Sequence, residues 1–366
     1  MSFGINSPMK TVNVVVTSAG GIVAQGIIKS LKYHNKYSRL KRYEYKILAT
    51  DINYEAAGLY RAHKFSLIPK PTAKEYLMSI VDLCNRNKIQ VLFIGSDVEL
   101  PILCKNKHLI EEKTGAIVIT SQPQVVEMCR DKYRTNEFLE ENNLNFIPTC
   151  LYHEIDDFIK DYRFPLVVKP REGFGSKLFQ IVNSIEELEF ACKAIIQTGW
   201  KPMIQKYLKG DANEYTTGLT LGKEKNQIMS TITLKKVLKH GQTYKAFIDK
   251  YPKVTKVCNQ IAKKLRTFGP LNIQSRIDVD DNQVKIIEIN PRFSASGPMR
   301  TVAGVNEPDI MVRNVLFNED VKTLDHKSLV CFRYWNETYI DKKKYERVMM
   351  QKKSVKTLNS SIVDYF

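Results

Sequence analysis

Two neighbouring segments constrain this chain more than any others. Gly269-Pro-Leu-Asn-Ile-Gln-Ser-Arg-Ile-Asp278 and Val284-Lys-Ile-Ile-Glu-Ile-Asn-Pro-Arg292 flank a turn-forming Asp-Asp-Asn-Gln, so they read as an antiparallel hairpin. On a strand, alternate residues share a face. Asn272, Gln274, Arg276 and Asp278 therefore line one side of the first strand. Glu288 and Asn290 line one side of the second, with Ile287 and Ile289 on the other. Polar side chains on strands this apolar need partners. A carboxylate, two amides and an arginine facing each other supply oxygen donors for Mg²⁺ and a cation for a transferring phosphoryl group.

Upstream, the order of elements is that of a doubly wound sheet. Val12–Thr17 is a β-branched run, followed by Ser18-Ala-Gly-Gly-Ile-Val-Ala-Gln-Gly26 and an amphipathic helix over Ile27–Tyr33. Strand, glycine turn and helix form an opening β-α unit. The pattern repeats: a strand over Tyr45–Thr50 ending at Asp51, a helix over Ala73–Asn87, a strand over Ile89–Gly95, a helix over Pro101–Thr114, and a strand over Ala116–Thr120. Asp51 stands where a dinucleotide-binding protein places its ribose acid, which makes an NAD(P)-dependent oxidoreductase a rival reading. Gly20, Gly21 and Gly26 do not have the G-x-G-x-x-G spacing, which counts against it. Asp97 and Glu99 fall just past a strand's carboxyl end, where open sheets bind ligands; equally, they are placed to cap the next helix.

The middle of the chain carries phosphate-binding chemistry. Cys129-Arg-Asp-Lys132 opens a helix running to Asn142. Phe164-Pro-Leu-Val-Val-Lys169-Pro-Arg is a short apolar strand ending in a lysine, which is costly there unless it meets an anion. It runs into Glu172-Gly-Phe-Gly-Ser176, whose glycines leave backbone N–H groups able to close over phosphates. A helix over Ile185–Gln197, the strand Pro202-Met-Ile-Gln-Lys-Tyr-Leu208 and the segment Gly210-Asp-Ala-Asn-Glu214 follow. Lys235, Lys236 and Lys245 lie in a basic stretch that suits either a phosphate or solvent. Val254–Thr267 reads as an amphipathic helix, and Ser294 and Ser296 sit in a small-residue loop after Arg292.

Taken in order, Lys132, Lys169, the GFGS loop, Gln205, Glu214, Gln274, Glu288, Asn290 and Arg292 resemble the ATP-grasp superfamily, in its carbamoyl-phosphate-synthetase-like branch. The resemblance covers most of the first 310 residues. It implies a fold of mixed α/β and α+β class, with a Rossmann-like domain over residues 1–120 and an ATP-grasp domain over 121–318. The flap subdomain falls at about 150–210, and a carboxyl-terminal extension over 319–366. It implies that Gln274, Glu288 and Asn290 hold Mg²⁺ or Mn²⁺, and that Arg292 and Lys169 are catalytic. Lys132, Lys169, Gly173, Gly175 and Ser176 would meet the phosphates of ATP. Gln205, Lys206, Tyr207 and Leu208 would read the adenine edge, and Glu214 the ribose. Gln205 departs from the family, where an acid is common, and the loop has fewer glycines than the fullest versions. The implied activity is a ligase that activates a carboxylate as an acyl phosphate for attack by an amine. An ATP-binding kinase-like or regulatory module is the alternative that keeps the nucleotide site.

The totals set bounds. A net charge of +17 spreads along the chain without a nucleic-acid-binding motif, which favours anionic small molecules over nucleic acid. The expected partners are a small-molecule carboxylate and an amine, with a homodimer left open. Seven cysteines fall singly, without a CxxC pair, as expected of free thiols in a cytoplasmic chain. No apolar run is long enough to span a membrane, no leader pattern stands at the start, and residues 1–10 read as a disordered lead-in.

Overall fold

A computed structural model describes residues 9–38, 42–173, 177–210, 214–224, 227–239, 241–322, 325–334, 336–350 and 358–359. The amino-terminal part runs β1 (Lys10–Val16), α1 (Ile22–Tyr37), β2 (Tyr43–Asp51), β3 (Lys64–Leu67), α2 (Tyr76–Arg86), β4 (Val91–Phe93), α3 (Leu100–Lys105), α4 (Lys107–Thr114) and β5 (Ile117–Ile119). Its strands pair in parallel, as the alternation of strand and helix predicts, in the order β3-β2-β1-β4-β5. Three details differ from expectation. Helix α1 starts five residues earlier, directly after the glycine turn. The helix expected over 101–114 breaks at Asn106 into two. Strand β3 was not anticipated, because Lys-Phe-Ser-Leu is too short to show a period.

The next elements are α5 (Pro123–Arg130), α6 (Lys132–Glu141), β6 (Thr149–Cys150), α7 (Ile155–Asp161), β7 (Leu166–Pro170), β8 (Gln180–Val182), α8 (Ile185–Gln197) and β9 (Pro202–Lys206). Strands β6-β9-β7-β8 form a small antiparallel sheet covered by α8. Helix α8 has the predicted bounds for identifiable reasons. Ser184 caps it by accepting from the Glu187 N–H, Glu186 and Glu187 occupy the positive first turn, and Leu188, Ala191, Cys192 and Ile195 share the buried face. The single helix expected from Cys129 is two. Asp131 has extended backbone, and its carboxylate accepts from the N–H groups of Tyr133 (3.0 Å) and Arg134 (3.3 Å), so a new helix starts at Lys132.

The remainder runs β10 (Glu214–Leu221), β11 (Ile228–Lys239), β12 (Gln242–Ile248), α9 (Pro252–Leu265), β13 (Gly269–Ile277), β14 (Val284–Asn290), α10 (Gly297–Ala303), α11 (Glu307–Phe317), β15 (Leu329–Phe332), α12 (Lys342–Met350) and β16 (Leu358–Asn359). Strands β14-β13-β10-β11-β12-β15 make a six-stranded antiparallel sheet. The hairpin pairs Asn272 with Asn290 and Gln274 with Glu288, then shifts register at a bulge. The bulge inserts a residue into β14 and breaks the period of two. Ile286 and Ile289 therefore enter the core while Ile287 does not, a correction to the simple alternation. Segment 319–366 contributes strands to both large sheets: β15 pairs with β12, and β16 pairs antiparallel with β3.

One apolar cluster joins the two large sheets, running from Val14 and Tyr45 to Ile232, Met311 and Val315. Polar ties cross the same seam. Thr301 donates to Ser30 Oγ (2.8 Å), and the Tyr43 and Tyr45 hydroxyls both donate to the buried Asp309 (2.8 and 2.7 Å). Six of the seven cysteines are buried and the seventh half-buried, all as free thiols. Burial pushes the Cys84 and Cys258 thiols up to about 12, away from reactivity. Among the described residues no helix is long and apolar enough to cross a membrane.

Arg300 is fully buried beneath the hairpin. Its Nη1 donates to Glu307 Oε1 (3.0 Å), and its Nη2 to Asn272 Oδ1 (2.7 Å) and Thr216 Oγ1 (3.1 Å). Gly218 leaves room for this group: a Cβ there would lie 2.0 Å from both Arg300 Nη1 and Glu307 Oε1. Gly218→Ala must displace a buried ion pair and is expected to destabilise the protein by about 3 kcal/mol, read as a lower urea midpoint.

Candidate functional site

The site is assembled from three directions. The Asp131 cap sets Lys132 at the first position of α6. Arg171, two residues beyond Lys169, clasps Asp131 with Nε 3.1 Å from each carboxylate oxygen, and the Lys132 N–H donates to the Arg171 carbonyl (2.8 Å). The start of α6 is thus fastened to the end of β7. Lys132 Nζ donates to the carbonyl of Gly173 (3.0 Å), at the mouth of the glycine loop. Gly173 has φ +112°, and a Cβ there would also press on the Trp200 ring at 3.1 Å, so glycine is required twice over. Gly175 and Ser176 lie outside the described residues.

Lys169, at the end of β7, is buried and donates to Gln205 Oε1 (2.8 Å); Gln205 Nε2 in turn donates to Thr149 Oγ1 (2.9 Å). Burial, reinforced by the charge of Lys132, pushes the Lys169 ammonium down to about 8 against the pull of Glu288. Lys236 is nearly as buried. It donates to Gln274 Oε1 and sits 3.6 Å from Glu214. Burial lowers its pKa and that of Lys132, and nearby carboxylates raise both. The charge of Glu288 acts on all three lysines. Lys132, Lys169 and Lys236 come from a helix start and two different sheets, and they converge on the carboxylate of the hairpin.

Within the hairpin, Gln274 Nε2 and Asn290 Nδ2 (2.9 Å) both donate to Glu288 Oε1. No hydrogen bond reaches Glu288 Oε2 from the described residues. The three candidate metal ligands thus share one spot. Among the described residues no group of three or more His, Cys, Asp or Glu could hold a metal ion, so the hairpin's donors are one carboxylate and two amides. Hard oxygens of this kind suit Mg²⁺ better than a soft metal. Arg292 lies beside them, with Nη2 3.2 Å from Asn290 Oδ1, and grips Asp97 of the amino-terminal sheet through Nε (2.7 Å) and Nη2 (3.0 Å).

The segment assigned to adenine and ribose is tied by Arg276. Its Nη1 donates to the Leu208 carbonyl (3.0 Å), and its Nη2 to Glu214 Oε1. The Lys206 N–H already donates to Pro148 (2.9 Å), and its ammonium lies 3.6 Å from the buried Asp278. Tyr207 is half-buried. The side chains of Gln205 and Glu214 have protein partners, which a nucleotide would have to replace or share.

Several groups were not singled out from the chain alone. The sequence does not separate Lys236 from Lys235 and Lys245; its register opposite Glu214 on β10 does. Arg171 carries no sequence signal, and Arg276 is read from the sequence only as one of the polar residues on the first hairpin strand. Glu99 does not cap α3 through its side chain: buried, it accepts from Thr17 (2.6 Å), Ser18 (2.6 Å) and Tyr76 (2.8 Å) and braces the first turn. Asp51, the rival ribose acid, accepts from the N–H groups of Gly20 (2.7 Å) and Asn53 (2.9 Å).

Residues 15–119 match the family described as PylC-like, N-terminal domain, and residues 129–296 match the ATP-grasp domain. The chain is 25% identical over 263 residues to the carbamoyl phosphate synthase large chain of Saccharolobus islandicus, covering 67% of this chain but 23% of that one. It is 23% identical over 297 residues to a carbamoyl-phosphate synthase of Methanobrevibacter smithii, covering 76% of this chain and 77% of the relative. The chain thus spans under a quarter of the large-chain relative. In fold it is similar to N5-carboxyaminoimidazole synthetase from Staphylococcus aureus complexed with ADP, with TM-score 0.63, 19% identity, and coverage of 86% and 78% of the two chains.

A buried lysine with a lowered pKa makes stability pH-dependent. Below about 8, Lys169 is charged in both states and the folded form bears the full burial cost. Between about 8 and the ordinary lysine value the unfolded chain binds more protons, so this group's contribution to stability rises with pH. Lys169→Met is expected to remove that rise, seen by comparing urea midpoints of the two proteins at pH 7.5 and 9.5.

Proposed function

Because residues 129–296 are an ATP-grasp domain carried behind a PylC-like amino-terminal domain, we propose that this protein is an ATP-dependent carboxylate–amine ligase. ATP phosphorylates a small-molecule carboxylate, and an amine displaces the phosphate to form a carbon–nitrogen bond. The observation that carries the reading is two buried lysines, Lys169 and Lys236, with a half-buried third, Lys132, all under the charge of one carboxylate. Such a site has excess positive charge where water is scarce, and a polyphosphate balances it. Glu288, Gln274 and Asn290 would hold Mg²⁺, which when bound neutralises charge on the phosphates.

The side chains divide the remaining work. Lys132 and Lys169 hold the phosphates beside Gly173, and Lys236 adds charge from the opposite sheet. Leu208 and its neighbours bound the adenine pocket, and Glu214 accepts from the ribose hydroxyls once Arg276 shares it. Arg292 meets the terminal phosphoryl group as charge builds on it. Transfer places the attacking carboxylate oxygen on phosphorus as the bond to the ADP oxygen breaks. No protein nucleophile is required. The carboxylate and amine enter from the amino-terminal sheet, whose strand ends face Arg292 through Asp97.

The purified protein with Mg·ATP and a panel of carboxylates and amines is expected to release ADP only when a carboxylate is supplied. ADP release independent of any carboxylate, or no calorimetric heat with Mg·ATP, would sink the ligase reading. Glu288→Gln keeps the shape and removes the charge; it is expected to lower carboxylate-dependent ADP formation by about a hundredfold and to weaken the response to added Mg²⁺.

A further inference from the structure

Arg292 belongs to the hairpin, yet its guanidinium is engaged on every side by protein. Nε and Nη2 meet the two oxygens of Asp97 at 2.7 and 3.0 Å, Nη2 also reaches Asn290 Oδ1 (3.2 Å), and Nη1 reaches the Phe293 carbonyl (3.0 Å). An arginine recognises phosphate through these same paired N–H edges. Of its three partners only Asp97 is an anion. Its two-pronged contact reproduces what a phosphoryl group would make.

Asp97 is also built to be displaced. It stands on the loop after β4, beside Glu99, which Thr17, Ser18 and Tyr76 hold fast. The carboxylate thus projects from a fixed base, and its side chain is 34% exposed, against 15% for Arg292. A carboxylate that keeps water on one side loses little when its partner leaves. The guanidinium, more enclosed, needs a replacement anion.

We infer that Asp97 is a positioning residue that occupies Arg292 in place of the terminal phosphate and thereby governs how strongly the site prefers a nucleoside triphosphate over a diphosphate. The inference rests on the ligase reading in taking Arg292 to meet that phosphate. A triphosphate competes with Asp97 for one edge of the guanidinium. A diphosphate ends one phosphate short and leaves the pair intact. The contact weakens triphosphate binding and holds Arg292 on the acceptor side until the exchange occurs.

The test uses the full chain and calorimetry with Mg·ADP and the non-hydrolysable β,γ-imido analogue of Mg·ATP. Asp97→Asn, with Asp97→Ser as a second variant, is expected to tighten the triphosphate analogue by about fivefold while ADP affinity stays within about twofold. In an Arg292→Met background the same change is expected to have no effect on either ligand. Equal shifts for both nucleotides, no gain for the analogue, or a gain that survives without Arg292 would overturn the role of Asp97. A wild-type protein that binds neither nucleotide overturns the ligase reading itself, and this inference with it.

Discussion

Lys169 and Lys236 are buried and Lys132 half-buried, three side chains of one sign, and Glu288 is the carboxylate whose charge they all feel. Charges of one sign gathered away from water repel one another and lose hydration, so a fold tolerates them only if something holds them there. Here the holding is done by covalent placement on rigid elements. Lys132 follows a capped helix start, Lys169 ends a buried strand, and Lys236 lies in a central strand of the large sheet. Each lysine meanwhile rests on a local acceptor: a glycine carbonyl, the Gln205 amide or the Gln274 amide.

That arrangement explains why the site is so heavily self-paired. Arg276 bridges Leu208 and Glu214, Arg171 clasps Asp131, and Arg292 grips Asp97. Each bond satisfies a partly buried charged group. Each also marks where a ligand must offer an equal or better partner. The candidate site is thus shaped by its own internal charge pairs.

The hairpin is rigid enough to serve because its reverse side is anchored. Ile273, Ile286 and Ile289 pack against helix α9, each side chain contributing roughly 1.5–3 kcal/mol by burial. Arg300 locks Asn272 and Thr216 to Glu307 beneath the sheet, and Ser30 ties α10 and α11 to the amino-terminal domain. The amino-terminal sheet is thereby fixed against the hairpin strands, and Asp97 can meet Arg292 across nearly two hundred residues of chain.

Local pattern was legible in the chain itself. Polar residues at alternate positions on apolar strands, a lysine closing a β-branched run, and glycines just beyond it are features of neighbours in sequence. They mark the hairpin, Lys169 and the alternation of strand and helix in the first sheet, whereas Lys132 stands out only through the resemblance of the ordered set. The bulge at Gln274, the break at Asp131 and the late strands that join both large sheets were not visible, because each depends on a partner elsewhere. The same holds for the partners of Lys236, Arg276 and Asp97: the chain places these residues in a basic stretch, on a polar strand face and past a strand end, but not beside Glu214 and Arg292. Whether a charge is solvated or buried beside another depends on which strands become adjacent, and only packing in three dimensions decides that.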